Sequence, residues 1–93
     1  MQSKNKKSMT VAERAHVERV KLLPCAVCGA GGGESTPSEA HEIEQGQWFT
    51  SISLCADCHR GSFNGIHGQA RIWSVLKKTE LSALNETVAR LVA

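Results

Sequence analysis

Four cysteines and three histidines carry the chemistry open to this sequence. The cysteines form two Cys-x-x-Cys pairs, Cys25/Cys28 and Cys55/Cys58, with 26 residues between them. Two such pairs in a short chain have the spacing of a tetrahedral zinc site, each pair giving two thiolates from one tight turn. Four thiolates leave zinc no open coordination position, so this metal is expected to be structural and a reaction needs another centre. His41, His59 and His67 are the candidates for it. His59 directly follows Cys58, and His67 stands between Ile66 and Gly68, where backbone can approach a ligand closely. Together the three point to a second metal. The fourth histidine, His16, falls on an N-terminal helix and outside the group.

The elements that must position these residues have little apolar material to work with. A chain of 93 residues bounds one small domain, and its only large rings are Trp48, Phe49, Phe63 and Trp73. Chains of this size generally need a staple. Zinc is the expected one, because the N-terminal stretch has no apolar signal segment pointing to an oxidising compartment where disulfides form. No apolar run approaches the roughly 20 residues needed to cross a bilayer, so a soluble, cytoplasmic protein without a membrane partner is expected. Cys55 to His59 also spells Cys-x-x-Cys-His, the attachment pattern for c-type haem. Haem would require export and would leave Cys25 and Cys28 without a role, while Met1 and Met9 are poorly placed as axial ligands.

Residues 1–9 read as a basic flexible arm and residues 10–93 as a single zinc domain with its core at 23–73. Thr10 and Glu13 have capping-box spacing, which predicts a helix from Val11 to about Lys21, ended by Pro24. A Gly-rich loop follows the first cysteine pair. Glu39 to Ile43 and Gln47 to Leu54 flank Gly46 and are expected to form a β-hairpin carrying His41 on its first strand. Cys55 to His59 begins a short helical turn, and Gln69 to about Lys78 reads as helical with Trp73 inward. Thr79 caps a last helix over about 80–92, predicted to pack through the stripe Leu81, Leu84, Val88 and Leu91. The fold class is therefore α+β: a small zinc-stabilised domain, treble-clef-like, with flanking helices.

Charge is unevenly spread. Residues 1–23 sum to +4, residues 24–64 to −4 and residues 65–93 to +2. Four thiolates around one zinc add two further negative charges to the middle, so a polyanion such as DNA would be held by the basic flanks. Lys4, Lys6 and Lys7 in the arm, with Arg60 and Arg71, are the candidate phosphate contacts.

The order of these parts resembles the HNH (ββα-metal) nuclease superfamily: a Cys-x-x-Cys pair, a strand histidine, then Leu-Cys-x-x-Cys-His. More narrowly, Ser38-Glu39-Ala40-His41-Glu42-Ile43, Leu54-Cys55-Ala56-Asp57-Cys58-His59-Arg60-Gly61 and Gly65-Ile66-His67-Gly68 are similar to the bacteriophage recombination-enhancement nucleases, which are RecA-dependent. The resemblance covers roughly Leu23 to Trp73. It implies a metal-dependent DNA endonuclease in a bacterial host cell, linked to phage or prophage recombination, with DNA and a RecA-type recombinase filament as partners. It also implies that Cys25, Cys28, Cys55 and Cys58 hold structural zinc, that His41 is the general base, and that His59, with His67, holds a catalytic Mg, Mn or Zn ion. Ala40 stands where many members place an Asp or His ligand, and no Asn lies between His41 and Cys55. His41 can alternatively be read as a ligand, with Glu42 or a neighbouring histidine completing the acid/base work. A non-catalytic zinc-dependent nucleic-acid-binding module is the other reading of the same cysteines and flanking charge.

Overall fold

Thr10 starts the first helix in the way its spacing with Glu13 predicts. In the computed structural model, which describes residues 8–93, the Thr10 hydroxyl accepts the Glu13 amide and the Glu13 carboxylate takes the Thr10 amide, opening α1 (Val11–Lys21). Lys4, Lys6 and Lys7, and most of the expected arm, lie outside the described residues. The order continues with β1 (Glu39–Glu42), β2 (Ser51–Leu54), α2 (Ala56–Arg60), α3 (Arg71–Val75) and α4 (Glu80–Leu91). The result is an α+β domain around a two-stranded antiparallel sheet in which His41 pairs with Ile52 and Glu39 with Leu54.

Strand β2 is buried along its whole length, and its backbone explains how. One edge pairs with β1. The other edge is covered from two directions: Ser53 takes the Ala26 amide on its carbonyl and gives its own amide to the Thr87 hydroxyl. No free edge remains at Ser53 to recruit another strand. Ile52, Leu54, Cys58, Trp73 and Ala83 close the core around this strand, and the Trp73 indole N–H reaches the Cys58 carbonyl at 2.9 Å.

Three local expectations need correction. The second hairpin arm is extended only over Ser51–Leu54, because Trp48–Thr50 forms a 3₁₀ turn. The Thr50 and Ser51 hydroxyls close onto the Gln47 and Trp48 carbonyls, so local side-chain bonds replace the ladder there. The helix expected over Gln69 to Lys78 shrinks to Arg71–Val75. Ala70 and Lys77 take positive φ at its two ends, and the Gln69 and Ala70 amides are committed to the carbonyls of Ser62 and Gly65. Finally, α4 is rotated from its expected stripe: Leu81 is 74 % and Val88 42 % exposed, while Ala83 and Thr87 are fully buried. The small Ala83 lets the helix approach β2, and Thr87 satisfies the amide of Ser53.

Candidate metal centres

Cys25 and Cys28 flank a tight turn in which the Gly29 amide bonds the Cys25 carbonyl, and Cys55 is the N-cap of α2, its sulfur accepting the Cys58 amide. The four sulfurs lie within 4.8 Å of one another and can hold a metal ion. All four thiols are free, and Cys28 Sγ to Cys55 Sγ is 3.7 Å. A disulfide would need about 2.05 Å, whereas the edge of a zinc–thiolate tetrahedron is about 3.8 Å. Burial pushes the Cys25 thiol up, but hydrogen bonds from the backbone of Cys28, Cys55 and Val27 outweigh it and bring it down to about 7. Burial raises Cys55 and Cys58. Such a cluster resists holding several thiolates unless a cation joins them.

The peptide bond after Cys58 leads directly to the second cluster. His41 on β1, His59 on α2 and His67 on the following turn bring ring nitrogens within 4.8 Å of each other. His41 Nδ1 is 3.3 Å from His59 Nε2, and His67 Nε2 is 3.2 Å from the same atom. Two of the rings are fixed from outside: His41 Nε2 lies 2.7 Å from Glu80 Oε2, and His59 Nδ1 lies 2.7 Å from Glu39 Oε1. Glu39 also holds Arg60 through two contacts, at 2.9 and 2.6 Å. That guanidinium, ahead of His59, holds the Glu39 carboxyl at about 2.

These contacts determine which nitrogens carry protons. A carboxylate only accepts, so each outer nitrogen must be the N–H and each inner nitrogen of a neutral ring is left with a lone pair. His41 Nδ1 and His59 Nε2 then face each other as two acceptors at 3.3 Å. A metal ion between them, or a proton shared by the two rings, satisfies the arrangement. Nitrogens bound to one tetrahedral zinc stand about 3.3 Å apart, and outer carboxylates of this kind accompany histidine ligands generally. Burial, then the neighbouring His59 and His41, lowers the His67 pKa and so favours the neutral ring a metal requires.

The turn that carries His67 is closely packed. The Ile66 and His67 amides bond the carbonyls of Cys58 and His59, and a Cβ on Gly65 would come within 2.5 Å of the Gly61 nitrogen. The three histidines open into a cleft of about 650 Å³, also lined by Glu42, Gln45 and Trp48. Of the remaining candidates, Arg60 is committed to Glu39, and Arg71 lies over the exposed Phe63 ring at 6.0 Å. His16 stays outside, its ring 5.2 Å from Phe49.

Sequence reading left the two carboxylates of the histidine cluster without a role. Glu39 had a signal, since it lies two residues before His41 and so on the same face of the strand. Glu80 had none, being 39 residues from its partner. Among the described residues no helix is long and apolar enough to cross a membrane. No protein family, curated protein or solved structure matches the chain.

Proposed function

We propose that this chain is a metal-dependent DNA endonuclease of the HNH type, with a treble-clef-like zinc site bracing a ββα unit that hydrolyses phosphodiesters. The observation that carries the reading is the convergence of three imidazole nitrogens in an open cleft, with two of the rings fixed by carboxylates. Zinc belongs with the four cysteines, whose ligand set is closed. The all-nitrogen set of His41, His59 and His67 suits zinc or manganese better than magnesium, which prefers oxygen ligands.

A divalent ion held there would supply charge stabilisation to a phosphate oxygen and to the departing 3′ oxygen. The chain's own residues do the rest. His59 and His67 present Nε2 and His41 presents Nδ1, close enough together for all three to hold one ion, so His41 is read as a ligand. Glu42, next on the strand and lining the same cleft, is then the proton acceptor for the attacking water. Its carboxylate is positioned by the Gly46 amide at 3.2 Å. Because the middle of the chain is acidic, phosphate approaches only once the ion is in place, guided by Arg71 and by the lysines at 4, 6 and 7. The context of a phage or prophage in a bacterial cytoplasm, and a recombinase filament as partner, rest on the resemblance of the motif alone.

The test is cleavage of single-stranded and supercoiled DNA by metal-stripped protein given back zinc alone, or zinc with magnesium or manganese, with and without a recombinase filament. Metal content is measured alongside in His41→Ala. Cleavage lost together with the second metal supports the assignment. Cleavage lost with that metal retained returns His41 to the role of base. DNA binding without cleavage under any condition leaves a zinc-dependent binding module.

A further inference from the structure

We infer that Glu80, at the start of α4, is a positioning residue of the histidine centre, so that α4 belongs to the site. The inference rests on the metal centre proposed above and adds to it an element that the Cys and His motifs do not contain. Glu80 Oε2 lies 2.7 Å from His41 Nε2, a contact that a neutral His41 satisfies with its proton on Nε2, which leaves Nδ1 as a lone pair facing His59. With the opposite tautomer, Nδ1–H would point at the other two ligands and exclude an ion.

Packing does not account for this carboxylate. Its side chain is 38 % exposed, and α4 is anchored by other groups. Thr79 and Ser82 cap the helix reciprocally, Thr87 holds Ser53, Arg19 reaches the Leu91 carbonyl at 2.8 Å, and Arg90 reaches that of Pro24 at 3.3 Å. Those contacts fix the helix relative to β2 and deliver Glu80 to the ring on the neighbouring strand. A carboxylate is also favoured by the macrodipole in the first turn of a 12-residue helix. His41 and Glu80 therefore form a unit assembled from two elements 39 residues apart.

The experiment uses full-length protein with one equivalent of zinc on the cysteines, titrated with cobalt and followed by its visible d–d bands. Wild type is expected to take a second ion with the spectrum of a nitrogen-rich site. Glu80→Gln, isosteric but uncharged and able to present its amide N–H to the ring, is expected to weaken that ion about 10–100-fold while the first zinc stays bound. Glu86→Gln neutralises another carboxylate of the same helix and is expected to stay within about twofold of wild type, as an effect through His41 requires. Equal weakening in both variants, or none in Glu80→Gln, overturns the inference and leaves the centre standing. A wild type that takes no second cobalt overturns the centre as well. Should Glu80→Gln lose its fold, ¹H–¹⁵N correlation of the histidine rings in wild type decides: a proton on His41 Nε2 supports the inference and one on Nδ1 overturns it.

Discussion

Cys58 faces one cluster and His59, the next residue, faces the other, yet the two clusters are built differently. The cysteine cluster is a closed set of four, with Cys25 and Cys58 buried and backbone amides turned toward sulfur. Its sulfurs come from two turns far apart in sequence, so a metal there ties the chain together. The histidine cluster brings together three residues that could hold an ion, opens into a cleft, and is ordered by carboxylates on β1 and α4 as well as by the backbone of the His67 turn. A closed site gives stability and an open one gives chemistry. The single turn of α2 couples them, because whatever fixes Cys58 also fixes His59.

The strongest way to break this comparison is to remove a ligand from the closed site. Cys25→Ala leaves α2 untouched in sequence, yet the whole domain is expected to lose its cooperative thermal transition by circular dichroism. Binding of structural zinc contributes about 10 kcal/mol or more in small domains, comparable to the entire stability of a chain this size. A Cys25→Ala protein that melts cooperatively near the wild-type temperature would mean that the four cysteines are not the staple.

Removing a ligand from the open site should have the opposite signature. His59→Ala is expected to keep the melting transition and the first zinc while losing the second ion. On the proposed nuclease reading, cleavage should fall about 10³-fold, the equivalent of several kcal/mol of charge stabilisation. Zinc content and cleavage rate measured on the same sample check this. Unfolding of His59→Ala would show that the two clusters are one structural unit.

Between these extremes lies the turn that carries His67. Gly65→Ala would set a Cβ 2.5 Å and 2.6 Å from backbone atoms of Gly61 and 2.8 Å from the His59 carbonyl, none of which is a flexible side-chain end. The expected cost is about 1–3 kcal/mol of overpacking. At roughly 4–8 °C per kcal/mol for a domain of this size, thermal unfolding resolves it easily. On the same proposed reading, cleavage should fall further than stability accounts for, since the displaced backbone holds His67 to His59.

The same contrast explains what the sequence disclosed. The spacing within each cysteine pair, the Thr10–Glu13 box and the pairing of Cys58 with His59 are local signals, and residue type alone singled out His41 and His67. Most of what escaped depended on partners distant in sequence. The face that α4 buries is set by the outward amide of Ser53 seeking Thr87, which outweighs the greater hydrophobicity of Leu81 and Val88. Glu80 reads as an ordinary first-turn acid until the strand places His41 beside it. The 3₁₀ turn at Trp48–Thr50 is a contest between β-forming side chains and hydroxyls that bond locally, and hydrophobic pattern does not decide such contests.

His16 sharpens the comparison by showing a histidine outside both clusters. Its Nε2 is buried without a hydrogen-bond partner, whereas the inner and outer nitrogens of His41 and His59 all face another group. Burial, and secondarily Arg19, lowers its pKa from the ordinary 6.5. The protonated form is thus disfavoured in the folded state relative to the unfolded chain. The stability so contributed is fully present above pH 6.5 and is lost as pH falls through 6.5 toward the folded value. His16→Phe, which keeps a ring against Phe49, is expected to flatten that part of the stability profile in denaturant titrations between pH 7 and pH 5. The effect should be the smallest of the four, with metal content and cleavage at pH 7 unchanged. A change in either would place α1 inside the working site and erase the distinction between the three organised histidines and the fourth.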